Sequence, residues 1–290
     1  MVNSKKLKNY FLLMRLDKPV GIFLLLWPTL IALWFASRGV PTLKILIVFI
    51  LGVIVMRSAG CVANDLADQR FDAFVMRTRG RPLIIGSVTR REAKILLLFL
   101  LLIAFWLVLG LNILSLKLSV VALLLALIYP LTKRFFNGPQ IFLGAAYGFA
   151  VPMAYAAVLS EIPLMAWWLF LAALIWAVSY DTLYAMVDRE DDERIGLKST
   201  AIWFGRYDKL VVFIGHLCVL VIMFGLGISQ KLNGIYYIGI SVALLLAIYQ
   251  QVLIRTQKTE ACFKAFLNNQ WFGLALFSGV LFSYCPFNGS

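Results

Sequence analysis

Nine apolar stretches, most of them close to twenty residues long, recur along this chain of 290 residues. A hydrocarbon core about 30 Å thick is crossed by about 20 apolar residues in a helix. Lipid offers the backbone no partners, so a spanning segment must be a helix or part of a closed barrel. The stretches fall at 19–37, 43–65, 93–112, 115–132, 140–159, 164–188, 208–228, 233–253 and 267–286. They lack the alternation of membrane β-strands. Only 14% of the residues are charged, against about 25% in soluble domains. The sequence predicts an all-α polytopic membrane protein of about nine spans, forming a single domain over 1–290 with no soluble part.

The net charge of +13 would suggest a nucleic-acid partner in a soluble chain. Here its distribution explains it. Twenty-two of the 27 Lys and Arg residues fall in the N-terminal segment and in alternate connections between spans, and four (Arg38, Lys44, Lys117, Lys231) fall on the other side. That asymmetry follows the positive-inside rule and puts the N-terminus in the cytoplasm and the C-terminus across the membrane. Arg57 stands inside a span. Lys5, Lys6 and Lys8 before an apolar run resemble the start of a signal peptide. The run Val20–Ala36 is long, contains Trp27-Pro28 and lacks a small-residue cleavage site, so it is read as a retained helix. Cys61, Cys218, Cys262, Cys285 and His216 are scattered, without metal-ligand or CxxC spacing, and are read as packing residues.

The acidic residues are concentrated. One cluster is Asn64-Asp65-Leu66-Ala67-Asp68-Gln69-Arg70-Phe71-Asp72, and the other runs from Tyr180-Asp181 through Tyr184 to Asp188 and Glu190-Asp191-Asp192-Glu193. Each lies at the cytoplasmic end of a predicted span. With Asn64 as origin, about 100° per residue puts Asp68 at about 40°, Asp72 at about 80° and Asp65 at about 100°. With Asp181 as origin, Asp188 and Asp192 fall within about 20° of it, and Tyr184 about 60° to one side. Each Asp-x-x-x-Asp pair rises only about 6 Å, so its carboxylates can converge. An Asp at the centre of a membrane helix costs about 2.5–3.5 kcal/mol, and ionised neighbours repel. A shared divalent cation relieves both penalties. Oxygen ligands of this kind suit Mg²⁺, which is held by carboxylates together with substrate phosphates. The bland alternative for the second cluster is a solvated acidic surface. Two clusters of the same spacing, 120 residues apart, make that weaker and hint at an internal pseudo-repeat. Arg77, Arg79 and Arg81 follow the first cluster, Arg194 and Lys198 the second, and Lys133-Arg134 follow Tyr129-Pro130. Such cations suit the remaining oxygens of a metal-bridged diphosphate, although positive-inside loops account for many of them.

These residues resemble the UbiA superfamily of intramembrane prenyltransferases. The two aspartate motifs carry the superfamily resemblance. Further similarity lies in Arg15-Leu16-Asp17-Lys18-Pro19-Val20-Gly21, Leu26-Trp27-Pro28-Thr29, Arg57-Ser58-Ala59-Gly60-Cys61, Tyr129-Pro130-Leu131-Thr132-Lys133-Arg134 and Glu260-Ala261-Cys262-Phe263-Lys264-Ala265-Phe266. Tyr180-Asp181-Thr182 and Lys198-Ser199-Thr200 resemble the branch that uses 4-hydroxybenzoate. The resemblance implies nine helices around a central cavity open laterally to lipid, in a bacterial inner membrane, with the site facing the cytoplasm. It implies a polyprenyl diphosphate donor, a 4-hydroxybenzoate acceptor, Mg²⁺ and a place in ubiquinone synthesis.

On that reading Asn64, Asp68, Asp72, Asp188 and Asp192 hold the metal. Arg77, Arg81, Lys133 and Lys198 are candidates to neutralise the diphosphate, and Tyr184 stands beside them. Asp65 and Asp181 are candidates to take the ring proton, and Arg134 or Arg15 to hold the acceptor carboxylate. A dry cavity suits an allylic cation that water would quench. A different acceptor (homogentisate or a naphthoate) remains open, as does a divalent-cation transporter. A transporter would place its acids near mid-span, whereas these lie at one face among basic residues. The residues select neither a prenyl chain length nor an oligomeric state.

Overall fold

The computed structural model describes residues 4–285, and the expected end of the last span at residue 286 lies outside them. Twelve α-helices follow in order: α1 (Ser4–Leu13), α2 (Val20–Ser37), α3 (Leu43–Asp72), α4 (Arg90–Leu109), α5 (Ile113–Thr132), α6 (Pro139–Gly148), α7 (Ala150–Leu159), α8 (Leu164–Ile195), α9 (Thr200–Phe204), α10 (Asp208–Ser229), α11 (Gly234–Ile254) and α12 (Thr259–Ser283). Among the described residues, eight helical segments are long and apolar enough to cross a membrane, with α6 and α7 counted as one and α9 joined to α10. The ninth, α12, carries Glu260, Lys264, Asn268 and Asn269 in its first half and packs along α11. This polarity is why the sequence-based start at 267 fell short of the observed start at 259.

The break between α6 and α7 comes at Phe149. Pro152 has no N–H to offer the Gly148 carbonyl, so the ladder is interrupted there. Gly144 and Gly148, four apart, let this segment approach α8 closely. A methyl group on Gly144 would meet the Leu174 carbonyl oxygen at 2.9 Å, and one on Gly148 would meet the Phe170 ring at 3.1 Å. Small residues at this spacing are how helices pack where lipid gives no hydrophobic drive.

Helices α3 and α8 overrun their expected ends at 65 and 188, continuing to Asp72 and Ile195. At 1.5 Å per residue they are about 45 Å long, against a hydrocarbon core of about 30 Å. Their last turns, which carry the acids, therefore project beyond the apolar layer, where apolar periodicity no longer marks a helix. Neighbour packing closes a ring from α2 through α3, α5, α6, α8, α10, α11 and α12 back to α2, with α4 against α3. The ring surrounds a cavity of about 1720 Å³.

The wall on the α8, α10, α11 and α12 side holds a buried polar network. Trp176 Nε1 donates to Asn269 Oδ1 at 3.0 Å, which also lies 3.0 Å from His216 Nε2, and Asn269 Nδ2 donates to Gln250 Oε1 at 3.0 Å. His216 is fully buried, with its other ring nitrogen on the Val212 carbonyl. Polar groups in lipid need such partners. The cysteines are free; Cys61 and Cys262 are buried, while Cys218 and Cys285 are exposed rather than packed.

Candidate active site

Both acidic clusters reach the same cavity. Asn64, Asp68 and Asp72 from α3 line it, as do Asp181, Tyr184, Asp188 and Asp192 from α8. The connection after α3 brings Arg77 and Arg81, and the turn after α5 brings Lys133. Arg77 holds Asp188 across 111 residues, Nε to Oδ1 at 2.9 Å and Nη2 to Oδ2 at 2.5 Å, while its guanidinium stacks 4.5 Å from the Tyr184 ring centre. Burial alone would lower its pKa, but Tyr184 and Asp188 outweigh that and raise it. Lys133 donates to Asp68 Oδ2 at 2.9 Å and to Asn64 Oδ1 at 3.3 Å. Its pKa is likewise raised, with burial opposed by Tyr129 and Asp68. Arg81 bridges Asp72 and Asp65. Lys198 lines the cavity, and its Nζ donates to the Phe135 carbonyl at 3.0 Å.

Three placements depart from the sequence expectation. Asp65 does not line the cavity: it is 2% exposed and its carboxylate is taken by Arg15 and Arg81. A carboxylate so engaged is a poor proton acceptor; it anchors arginines instead. Arg134 also stands outside the cavity, donating to the Ala67 carbonyl at 3.0 Å with its guanidinium 5.5 Å from the Phe71 ring centre. It braces the last turns of α3 from outside the cavity. Arg15 lines the cavity but is committed to Asp65.

Two residues outside the expected set belong to the site. Arg57, noted from sequence only as a charge within a span, lines the cavity with Cys61 Sγ at 3.0 Å and Tyr147 Oη at 3.4 Å as its partners and, among the described residues, no carboxylate in salt-bridge range. An arginine inside a membrane span is a functional signal by itself, and that signal could have found it. Asp191 accepts the Met76 N–H at 3.0 Å and so ties the first loop to the second cluster. Sequence spacing gives no hint of that contact.

The donor set fits a magnesium ion shared with phosphate. Asp68 Oδ1 is buried without a hydrogen-bond partner, and Asp192 lines the cavity with no protein donor on it among the described residues. Among the described residues no three acidic, His or Cys side chains form a cage for an ion by themselves. The expected set of Asn64, Asp68, Asp72, Asp188 and Asp192 therefore does not converge as a protein-only site. Mg²⁺ commonly takes one or two carboxylates and completes its shell with water and substrate phosphates.

A membrane-embedded ring of helices, two acidic helix ends and a basic mouth over an apolar cavity describe an intramembrane transferase of a lipid diphosphate. The UbiA prenyltransferase family model matches residues 25–277, and the chain belongs to that family. It is 52% identical over 98% of both chains to the 4-hydroxybenzoate octaprenyltransferase of Nitrosospira multiformis. It is 54% identical over 99% of both to that of Salmonella paratyphi C. Among solved structures, a UbiA homologue from Aeropyrum pernix in its apo form superposes with a TM-score of 0.80 at 26% identity, covering 90% of this chain and 97% of that one. A homologue from Archaeoglobus fulgidus bound to GPP and Mg²⁺ shares the fold, with a TM-score of 0.69 at 18% identity, covering 93% and 99%.

Proposed function

We propose that this protein transfers a polyprenyl chain from its diphosphate to the carbon ortho to the hydroxyl of 4-hydroxybenzoate, in ubiquinone biosynthesis. The observation that carries the reading is the meeting of two acidic helix ends and their basic loops over one large apolar cavity. Relatives at just over half identity bear the matching name. Residues 1–290 act as one transmembrane domain of a bacterial inner membrane. The basic mouth faces the cytoplasm, as the lysine and arginine distribution requires.

Asp68, Asp72, Asp188 and Asp192, with Asn64, would hold Mg²⁺ together with the donor's diphosphate. When bound, the ion supplies Lewis-acid stabilisation of the leaving group. Arg77, Arg81, Lys133 and Lys198 line the same cavity, and their fixed charge favours the diphosphate as the C–O bond breaks and the leaving group takes its electron pair. Tyr184, Tyr129 and Phe266 line the same cavity, and aromatic rings there favour an allylic cation. The prenyl tail lies among the apolar side chains of α3, α4 and α5 that line the cavity.

Arg57, in place of Arg134 or Arg15, pairs with the acceptor carboxylate, for which a guanidinium fork is shaped. The ring carbon ortho to the hydroxyl bonds to the prenyl carbon. The one proton the acceptor loses passes to Asp181, which lines the same cavity. A mass-resolved product assay with Mg²⁺, polyprenyl diphosphates and a panel of aromatic acceptors tests this. Prenylated 4-hydroxybenzoate is the expected product, and transfer only to homogentisate or a naphthoate would overturn the acceptor assignment.

A further inference from the structure

Tyr180-Asp181-Thr182 and Lys198-Ser199-Thr200 meet in space, and a third residue joins them. Thr182 Oγ1 and Thr200 Oγ1 lie 2.7 Å apart, both buried. The Thr200 backbone N–H donates to Gln140 Oε1 at 3.0 Å. Gln140 sits in the first turn of α6, is 5% exposed, and lies in the cavity wall. A backbone N–H can be met only by the amide oxygen, so the orientation of this side chain is fixed and its NH₂ group is the end left for the cavity. That group lies near the carboxylate of Asp181, which lines the same cavity.

Depth in the cavity gives this contact its meaning. Asp181 precedes Asp188 by seven residues, and Arg57 precedes Asn64 by seven. On parallel helices both then stand about 10 Å inward from the acidic ends. That level offers the cavity both a guanidinium and a carboxylate backed by an amide. A ring with a carboxylate at one end and a hydroxyl at the other matches a cation and a hydrogen-bond acceptor held at one level of the same cavity. We infer that Gln140 is a positioning residue: it holds Asp181 toward the acceptor's hydroxyl, and the Thr182–Thr200 lock holds Gln140, so that the pair selects phenolic acceptors. This rests on the proposed reaction.

The test uses the full-length protein in nanodiscs with Mg²⁺ and varies donor and acceptor separately. Wild-type turnover of 4-hydroxybenzoate is measured first; without it the proposed reaction fails, and this inference falls with it. Given turnover, Q140L is expected to lower kcat/KM for the acceptor by about tenfold or more, as loss of a hydrogen bond to a charged group does, while the donor KM stays within about twofold. D181N should move the same parameter, and Q140L/D181N should be no worse than D181N, because the two act as a unit. The isosteric Q140E still accepts from Thr200 but brings a negative charge to Asp181; it should fold and lose more acceptor kcat/KM than Q140L. Equal loss for donor and acceptor, an additive double variant, or wild-type kinetics in Q140E would each overturn the proposal.

Discussion

The two acidic helix ends are alike in sequence and unlike in setting. On α3 the acids are sunk into protein: Asp65, Asp68 and Asp72 are 2%, 3% and 7% exposed. Each is met by a cation from another segment, namely Arg15, Lys133 and Arg81. On α8 the acids are more open. Asp188 is held by one arginine, and Asp192 has no protein donor among the described residues. The first end is a fixed half-site in which one buried carboxylate oxygen, Asp68 Oδ1, has no hydrogen-bond partner. The second depends on the loop carrying Arg77 for its order, through Asp188 and through the Met76 N–H on Asp191. Spacing alone makes the two motifs equivalent; burial and partners show that they do different work.

Three experiments sharpen or break that contrast. The largest effect is expected from D68A and D188A, which remove one acid from each end. Turnover should fall by at least about a hundredfold, the scale of losing a charge-stabilising group, while insertion and size-exclusion behaviour persist. Wild-type turnover in either purified variant would end the metal assignment. Next comes Arg77. R77M should reduce turnover about ten- to a hundredfold, and R77K should recover only part of it, because Lys cannot make the bidentate contact. Full rescue by R77K would make Arg77 a mere point charge and erase the distinction between the two ends.

The smallest effect concerns pH. Lys133 has its pKa raised, so its contribution is fully present below the ordinary lysine range and is lost only as pH climbs through the raised value. K133M and wild-type protein should therefore give parallel Tm curves between about pH 6 and 9, converging only above the lysine range near 10.4. A difference that changes between pH 6 and 9 would show that Lys133 titrates there and that the α3 end is less firmly held than its contacts suggest.

A second contrast separates polarity that holds the fold from polarity that does the chemistry. Trp176, His216, Asn269 and Gln250 satisfy one another inside the bundle. Arg57 and Asp68 instead line the cavity and keep hydrogen-bonding capacity unspent. From sequence both kinds look the same, as polar residues in apolar stretches. His216 was legible as packing because it stood alone. Arg57 was visible as an anomaly but not as a site residue, because nothing in its neighbours along the chain says what it faces. Asp65 shows the converse. Its place on the acidic stripe suggested chemistry, and the two arginines that claim it come from segments fifty residues before it and sixteen after it.

The sequence by itself determined the solvent of this fold, the approximate places of its spans, the sidedness of its charge and the two acidic helix ends. These follow from local quantities: the length of an apolar run, the turn of a helix, and the cost of a charge in lipid. Only the tertiary structure decided that α3 and α8 face one cavity, that Arg134 and Asp65 turn away from it, and that Arg57 and Gln140 belong to it. Those are matters of which helix stands beside which, and they arise from contacts between segments tens to more than a hundred residues apart. No local pattern encodes such contacts.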